Sequence, residues 1–104
     1  MIEKIKKLFG IGPKIDLGEV IARGAVIVDV RTTGEYAGGH VKGSLNIPLN
    51  GLAAQLGKLK KDKPVITCCA SGMRSSSARS MMLSHGFTEV HNGGSWYNLR
   101  KYEK

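Results

Sequence analysis

Cysteine is scarce in this chain, and long apolar runs are absent. The two cysteines, Cys68 and Cys69, are adjacent, so they close no stabilising loop and do not supply the four ligands of a structural zinc site. A reduced, cytoplasmic setting is the simplest expectation. No apolar run is long enough to cross a bilayer, and the basic N-terminus lacks the uninterrupted apolar stretch of a signal peptide. We therefore expect no membrane partner.

Acidic residues are also few. The sequence has 16 Lys and Arg against 8 Asp and Glu, a formal net charge of +8 at pH 7. Such an excess attracts anions, including sulfur oxyanions, nucleic acid and acidic proteins. Nucleic-acid binding would want basic residues interleaved with exposed aromatic residues, or a known motif, and the lysine-rich stretches 4–14 and 58–63 contain no such motif. We interpret these stretches as solvated surface, which favours small anions or an acidic protein partner over nucleic acid.

The length and composition fit one small domain. The chain has 104 residues, of which 41% are hydrophobic and 23% charged, enough for one modest core without a metal or disulfides. We divide it into an N-terminal extension, residues 1–14, and a single domain, residues 15–104. The extension has the spacing of a short packing helix, with these apolar residues on one face: Ile2, Ile5, Leu8 and Phe9.

Strand and helix signals alternate along the rest of the chain. Apolar or β-branched runs predict strands at 25–30, 44–48, 64–68 and 89–91. Helical signals fill the intervals, at 17–23, 34–39, 50–59 and 75–85, with a last helix around Trp96 and Leu99. Asn50 is expected to cap the helix over 50–59. This alternation predicts an α/β domain with a mainly parallel sheet.

A short loop between the strand at 64–68 and the helix at 75–85 has the features of a reactive site. It starts at Cys69, at the carboxyl end of a strand, where ligands bind in parallel sheets. Its N–H groups and the amino end of the helix can hold negative charge on the sulfur. Gly72 permits the turn. Arg74 adds a permanent charge and a planar guanidinium whose N–H groups can bind an oxyanion. We predict that Cys69 is a nucleophilic thiolate.

A cysteine at a strand end is often only a small buried side chain, and this is the competing interpretation. The glycine, the arginine and the helix that follow Cys69 favour catalysis there. For Cys68 the core interpretation is favoured, because strand alternation points its side chain to the opposite side. The loop residues predicted to bind substrate are Ala70, Ser71, Gly72, Met73, Arg74 and Ser75.

Further segments form an ordered set with this loop. They are Asp29-Val30-Arg31, Glu35-Tyr36, Gly39-His40-Val41, Gly43 and Asn46-Ile47-Pro48 before it, and Gly86-Phe87, Val90, Gly93-Gly94 and Trp96 after it. Together with residues 69–75, this set resembles the rhodanese family over about residues 16–96. The resemblance implies the rhodanese-like fold, a central, mainly parallel sheet of about five strands with helices on both faces.

The resemblance also implies a sulfurtransferase mechanism. Cys69 takes the outer sulfur of a donor such as thiosulfate, carries it as a persulfide, and passes it to cyanide or a thiol. No metal or organic cofactor is implied. Among the other matching residues, we expect Asp29 and Arg31 to form an ion pair that supports the loops at the sheet edge, and His40 to be a hydrogen-bonded structural residue.

Two departures and two alternatives remain open. Cys68 stands where the family often has an aromatic residue, which suggests a disulfide with Cys69 as a redox brake. Trp96 follows Gly94 more closely than in many relatives. A persulfide carrier or docking module would need the same cysteine. A phosphatase or arsenate reductase of the same fold is disfavoured, because its loop is one residue longer and Arg74 is here the fifth residue after Cys69.

Overall fold

Four parallel strands form the central sheet of the computed structural model, which describes residues 15–103. They are β1 (Val26–Asp29), β2 (Leu45–Asn46), β3 (Val65–Cys69) and β4 (Val90–Ser95), in the spatial order β2-β1-β3-β4. In the register of the central pair, Asp29 lies opposite Cys68. The carboxyl ends of β1 and β3 therefore meet at one edge of the sheet.

The number of strands corrects one expectation. The family resemblance implied about five strands, whereas residues 15–103 contain four. These four are the segments predicted to be extended, although β4 continues to Ser95, beyond the predicted 89–91. The intervals between them are taken up by helices and turns, and the chain enters a 3-10 helix directly after β4, so no further segment is left to extend there. The predicted extension over 1–14 lies outside the described residues.

Helices pack on both faces of the sheet, as predicted. The first core lies beneath α3 (Leu52–Gln55) and α4 (Met73–Ser84), and the second beneath α1 (Leu17–Ala22) and the 3-10 helix Trp96–Tyr102. The strands contribute alternate side chains to the two cores, as strand geometry requires. In β3, Val65 and Cys69 face the first core, while Ile66 and Cys68 face the second.

The prediction of one continuous helix over 50–59 is wrong. The segment is broken into a 3-10 turn (Leu49–Gly51), the short α3 and a second 3-10 turn (Leu56–Lys58). Gly51 and Gly57 account for the breaks, because glycine is a poor helix former. Asn50 is exposed and caps no helix, since the first turn has no side-chain cap.

Local capping explains the shorter helices. The Asp16 carboxylate accepts a hydrogen bond from the Glu19 N–H and starts α1. Thr32 and Glu35 form a reciprocal capping box that starts α2 (Thr33–Ala37), directly after β1. The part of the chain that the structure describes contains no helix long and apolar enough to span a membrane.

Candidate active site

The loop after β3 turns back on itself around the last residue of the strand. Cys69 ends β3, and α4 starts at Met73, two residues before the predicted 75. Gly72 makes this tight turn possible, because its φ of +105° lies in the left-handed region that side chains disfavour. A Cβ built on Gly72 would also lie 3.4 Å from the Gly94 Cα. The turn directs the Gly72 N–H at the Cys69 sulfur.

Three polar groups contact the buried Cys69 sulfur. The Gly72 N–H donates to it over 3.0 Å, the Ser75 N–H donates over 3.4 Å, and the Ser75 hydroxyl lies 3.4 Å away. Burial acts to raise the pKa of the Cys69 thiol, but contacts with the Ser75 hydroxyl and N–H and with the Gly72 and Ser71 N–H groups outweigh it and lower the pKa to about 7. About half of the cysteine is therefore a thiolate at neutral pH, without a separate base.

Cys68 occupies the opposite environment. Burial, followed by the nearby Asp29 carboxylate, raises the pKa of its thiol to about 12, so it stays protonated. It packs in the second core, as predicted. A disulfide needs Cβ atoms about 4 Å apart on the same side of the backbone, whereas the two cysteines face different cores and are both free. The suggested redox brake therefore finds no support in this geometry.

Arg74 does not point its donors at an open pocket. Its two terminal nitrogens bind both oxygens of Glu35, over 2.7 and 2.9 Å. Arg74, followed by the Thr32 N–H, lowers the pKa of Glu35 to about 2. The sequence predicted that this guanidinium binds a substrate oxyanion, whereas in the structure it binds the carboxylate of Glu35 on α2. The low pKa of Cys69 accordingly comes mainly from hydrogen bonds and not from this cation.

The Asp29–Arg31 pair lies on the side of the sheet opposite the Cys69 sulfur. The two charges meet at 2.7 Å and are almost fully buried. Arg31 also donates to the Gly39 carbonyl over 2.7 Å and lies over the Trp96 ring at 4.6 Å. The pair thus ties the loop after α2 to the start of the 3-10 helix Trp96–Tyr102. His40 makes a similar structural contact, since its Nδ1 is 2.8 Å from the Tyr36 carbonyl oxygen.

Asn92 is a site residue that sequence reasoning missed. Its side chain joins the Ser75 hydroxyl, the Gly72 carbonyl and the Gly94 N–H. The only local signal is its position before Gly93-Gly94. Of the predicted loop residues, Ala70, Ser71 and Met73 are exposed around the sulfur. Within residues 15–103, no three His, Cys, Asp or Glu side chains are grouped so as to hold a metal ion.

Comparison with known proteins decides the family. The family described as "Rhodanese-like domain" matches residues 15–98. The chain belongs to the rhodanese family. An uncharacterized protein of Bacillus subtilis, YqhL, is 39% identical over 70 residues, which are 67% of this rhodanese and 56% of YqhL. Thiosulfate sulfurtransferase GlpE of Stutzerimonas stutzeri is 33% identical over 79 residues, covering 76% of this chain and 72% of GlpE.

Solved structures agree on the fold. The human single-domain sulfurtransferase TSTD1 superposes with a TM-score of 0.69 at 29% identity, covering 85% of this rhodanese and 92% of TSTD1. A rhodanese with anions from E. coli superposes with a TM-score of 0.68 at 28% identity, covering 72% and 91%. The predicted rhodanese-like fold is confirmed.

Proposed function

We propose that this rhodanese is a sulfurtransferase that carries a sulfane sulfur as a persulfide on Cys69. The observation that carries the proposal is the buried Cys69 sulfur with a pKa of about 7, held by the N–H groups of Gly72 and Ser75. A thiolate at that position is a nucleophile at neutral pH, and the same donors stabilise negative charge on an added sulfur.

The first step loads the cysteine. The Cys69 thiolate attacks the outer sulfur of thiosulfate, the bond between the two donor sulfurs breaks, and its electron pair leaves with sulfite. The product is a persulfide anion, whose outer sulfur can accept hydrogen bonds from the loop N–H groups and lies at the amino end of α4. The charge is conserved, because a thiolate and a dianion become a persulfide anion and sulfite.

The second step returns the enzyme to its starting state. Cyanide or a thiolate attacks the outer sulfur, the sulfur–sulfur bond breaks, and the electron pair returns to the Cys69 sulfur. Neither step calls for a metal or an organic cofactor. Free thiols suit a reduced compartment, so we place the reaction in the cytoplasm.

Two further observations support a sulfur donor over a phosphate ester. The loop from Cys69 to Arg74 is of the shorter kind, which leaves less room than the tetrahedral oxygens of a phosphate ester need. Relatives named thiosulfate sulfurtransferase and single-domain sulfurtransferase point the same way. The net charge of +8 also suits an acidic protein that delivers or receives sulfur, in which case the chain is a persulfide carrier.

Intact mass measurement tests the covalent intermediate. Incubation with thiosulfate is expected to add the mass of one sulfur atom, and cyanide is expected to remove it. Cys69→Ser should gain no mass, while Cys68→Ser, the matched control one residue away, should behave as the unmodified protein. An unchanged mass after both thiosulfate and a persulfide donor would contradict the proposal. Loading by a protein persulfide donor alone would favour the carrier.

A further inference from the structure

The orientation of the Asn92 side-chain amide is determined by two backbone groups. Its oxygen accepts the Gly94 N–H over 2.9 Å, and its nitrogen donates to the Gly72 carbonyl over 3.0 Å. Reversing the amide would oppose donor to donor and acceptor to acceptor. The Asn92 oxygen therefore faces the Ser75 hydroxyl, which lies 2.6 Å from it.

This orientation determines where the only hydroxyl proton of Ser75 lies. An amide oxygen has no proton to give, so the Ser75 hydroxyl is the donor in the 2.6 Å contact. The hydroxyl then presents its lone pairs to the Cys69 sulfur, 3.4 Å away. A thiol can donate its S–H proton to those lone pairs, whereas a thiolate would be repelled by them. Asn92 and the Cys69 thiolate thus compete for one proton.

We propose that Asn92 is a positioning residue that holds the Ser75 hydroxyl proton away from the Cys69 sulfur and releases it when that sulfur becomes an anion. When the thiol ionises, the S–H bond breaks, its proton goes to water, and the electron pair stays on sulfur. The Ser75 hydroxyl then rotates about its Cβ–Oγ bond, and its own proton, still bonded to oxygen, turns from Asn92 to the sulfur.

The rotation has a use that rests on the proposed function. Cys69 is an anion before loading, a neutral inner sulfur while it carries the persulfide, and an anion again when the acceptor takes the outer sulfur. The hydroxyl would turn toward the sulfur in the two anionic states and toward Asn92 in between. Asn92 would then provide a resting partner for a donor that is needed only at the two bond-breaking steps.

The charged groups around this sulfur do not change in the proposed test. Arg74 on α4 is paired with Glu35, and Asp29 from β1 is paired with Arg31 on the other face. Substitutions of Asn92 by neutral residues alter none of these charges. A change in the ionisation of Cys69 in such variants therefore reports on hydrogen bonding.

The test measures the rate of iodoacetamide alkylation against pH, in a Cys68→Ser background so that only Cys69 reacts. Asn92→Leu keeps the shape of asparagine, removes the acceptor and keeps water from the hydroxyl, so Ser75 can donate to the thiolate without losing a partner. The apparent pKa is expected to fall by about one unit, a tenfold change in the ionisation constant. In a Ser75→Ala background, the same Asn92 substitution is expected to leave the pKa unchanged.

The two roles open to Asn92 predict shifts of opposite sign in the pKa of Cys69 when Asn92 is substituted. If it serves only to anchor the loop through the Gly72 carbonyl, its loss displaces the loop N–H groups and raises the pKa. A raised or unchanged pKa, or an equal fall with and without Ser75, would overturn the proposal. Should Asn92→Leu fail to fold, Asn92→Ala carries the same expectation with a smaller shift, because water replaces the amide. Alkylation needs no sulfur donor, so this result is independent of the proposed function.

Discussion

Cys68 and Cys69 are neighbours in the chain, and both are buried, yet they are chemically opposite. The Cys69 sulfur receives hydrogen bonds from the loop that follows it, and its pKa falls to about 7. Burial and Asp29 raise the pKa of Cys68 to about 12. Burial alone therefore does not make a thiol inert. The difference lies in the donors that only one face of β3 receives, because only that face meets the loop and the start of α4.

Removing each sulfur in turn is expected to produce the largest difference between the two cysteines. Cys69→Ser is expected to abolish sulfur transfer from thiosulfate to cyanide, because the hydroxyl is not ionised at neutral pH. Cys68→Ser is expected to retain most of the activity, since that side chain lies in the second core. Initial thiocyanate production measures both variants. Equal losses with both proteins folded would remove the distinction between the two cysteines.

The pH dependence of the thiols gives the next largest difference. With a pKa lowered to about 7, the Cys69 thiolate is present above that pH, and alkylation is expected to slow about tenfold for each pH unit below about 6. Cys68, with a pKa of about 12, should stay unmodified from about pH 6 to about pH 9. Mass spectrometry of the alkylated peptides separates the two sites. Modification of Cys68 in the native protein would contradict its assignment to the core.

Gly72→Ala tests the turn that creates the difference. The positive φ of Gly72 should cost about 1–2 kcal/mol of folding stability once a Cβ is present. Any relief of that strain would move the N–H that lies 3.0 Å from the sulfur, so the pKa of Cys69 should rise. Gly43→Ala is the matched control, because Gly43 also has a positive φ, 89°, and has nothing within 4 Å of its added Cβ.

Thermal unfolding of the two glycine variants measures the cost of backbone strain in folding stability. Their pH-dependent alkylation measures the ionisation of Cys69. Both variants should lose similar stability, and only Gly72→Ala should shift the ionisation of Cys69. A similar shift in both would show that the effect comes from general loosening of the fold.

Arg74→Ala is expected to have the smallest effect. An anionic donor must displace Glu35 from this guanidinium, so the net gain from binding Arg74 is small, and the KM for thiosulfate should rise about fivefold with little change in kcat. Arg23→Ala is the control, since Arg23 forms a comparable exposed pair with Glu89 away from the loop. An unchanged KM in Arg74→Ala would show that the donor does not contact this side chain.

Sequence reasoning located the features that are encoded locally. The strands, the loop from Cys69 to Arg74 and the opposite directions of the two cysteines follow from periodicity and from residues close in sequence. The partners that define the environment of the loop are distant in sequence: Glu35 is 39 residues from Arg74, and Asn92 is 17 from Ser75. No local pattern specifies such contacts, because they depend on how α2 and β4 are placed around the loop. The role of Cys69 as nucleophile stays a prediction.

Two adjacent glycines differ in their mutational tolerance. A Cβ on Gly93 would lie 2.8 Å from an Ile66 methyl group and 3.0 Å from the Thr67 carbonyl oxygen, so even alanine would force β4 away from β3. Gly94 has open space around it and is constrained only by its φ of 76°, a conformation that asparagine and aspartate adopt more readily than other residues. A saturation library should therefore accept a few polar residues at 94 and almost none at 93, which makes 94 the position where the rim of the site can be varied.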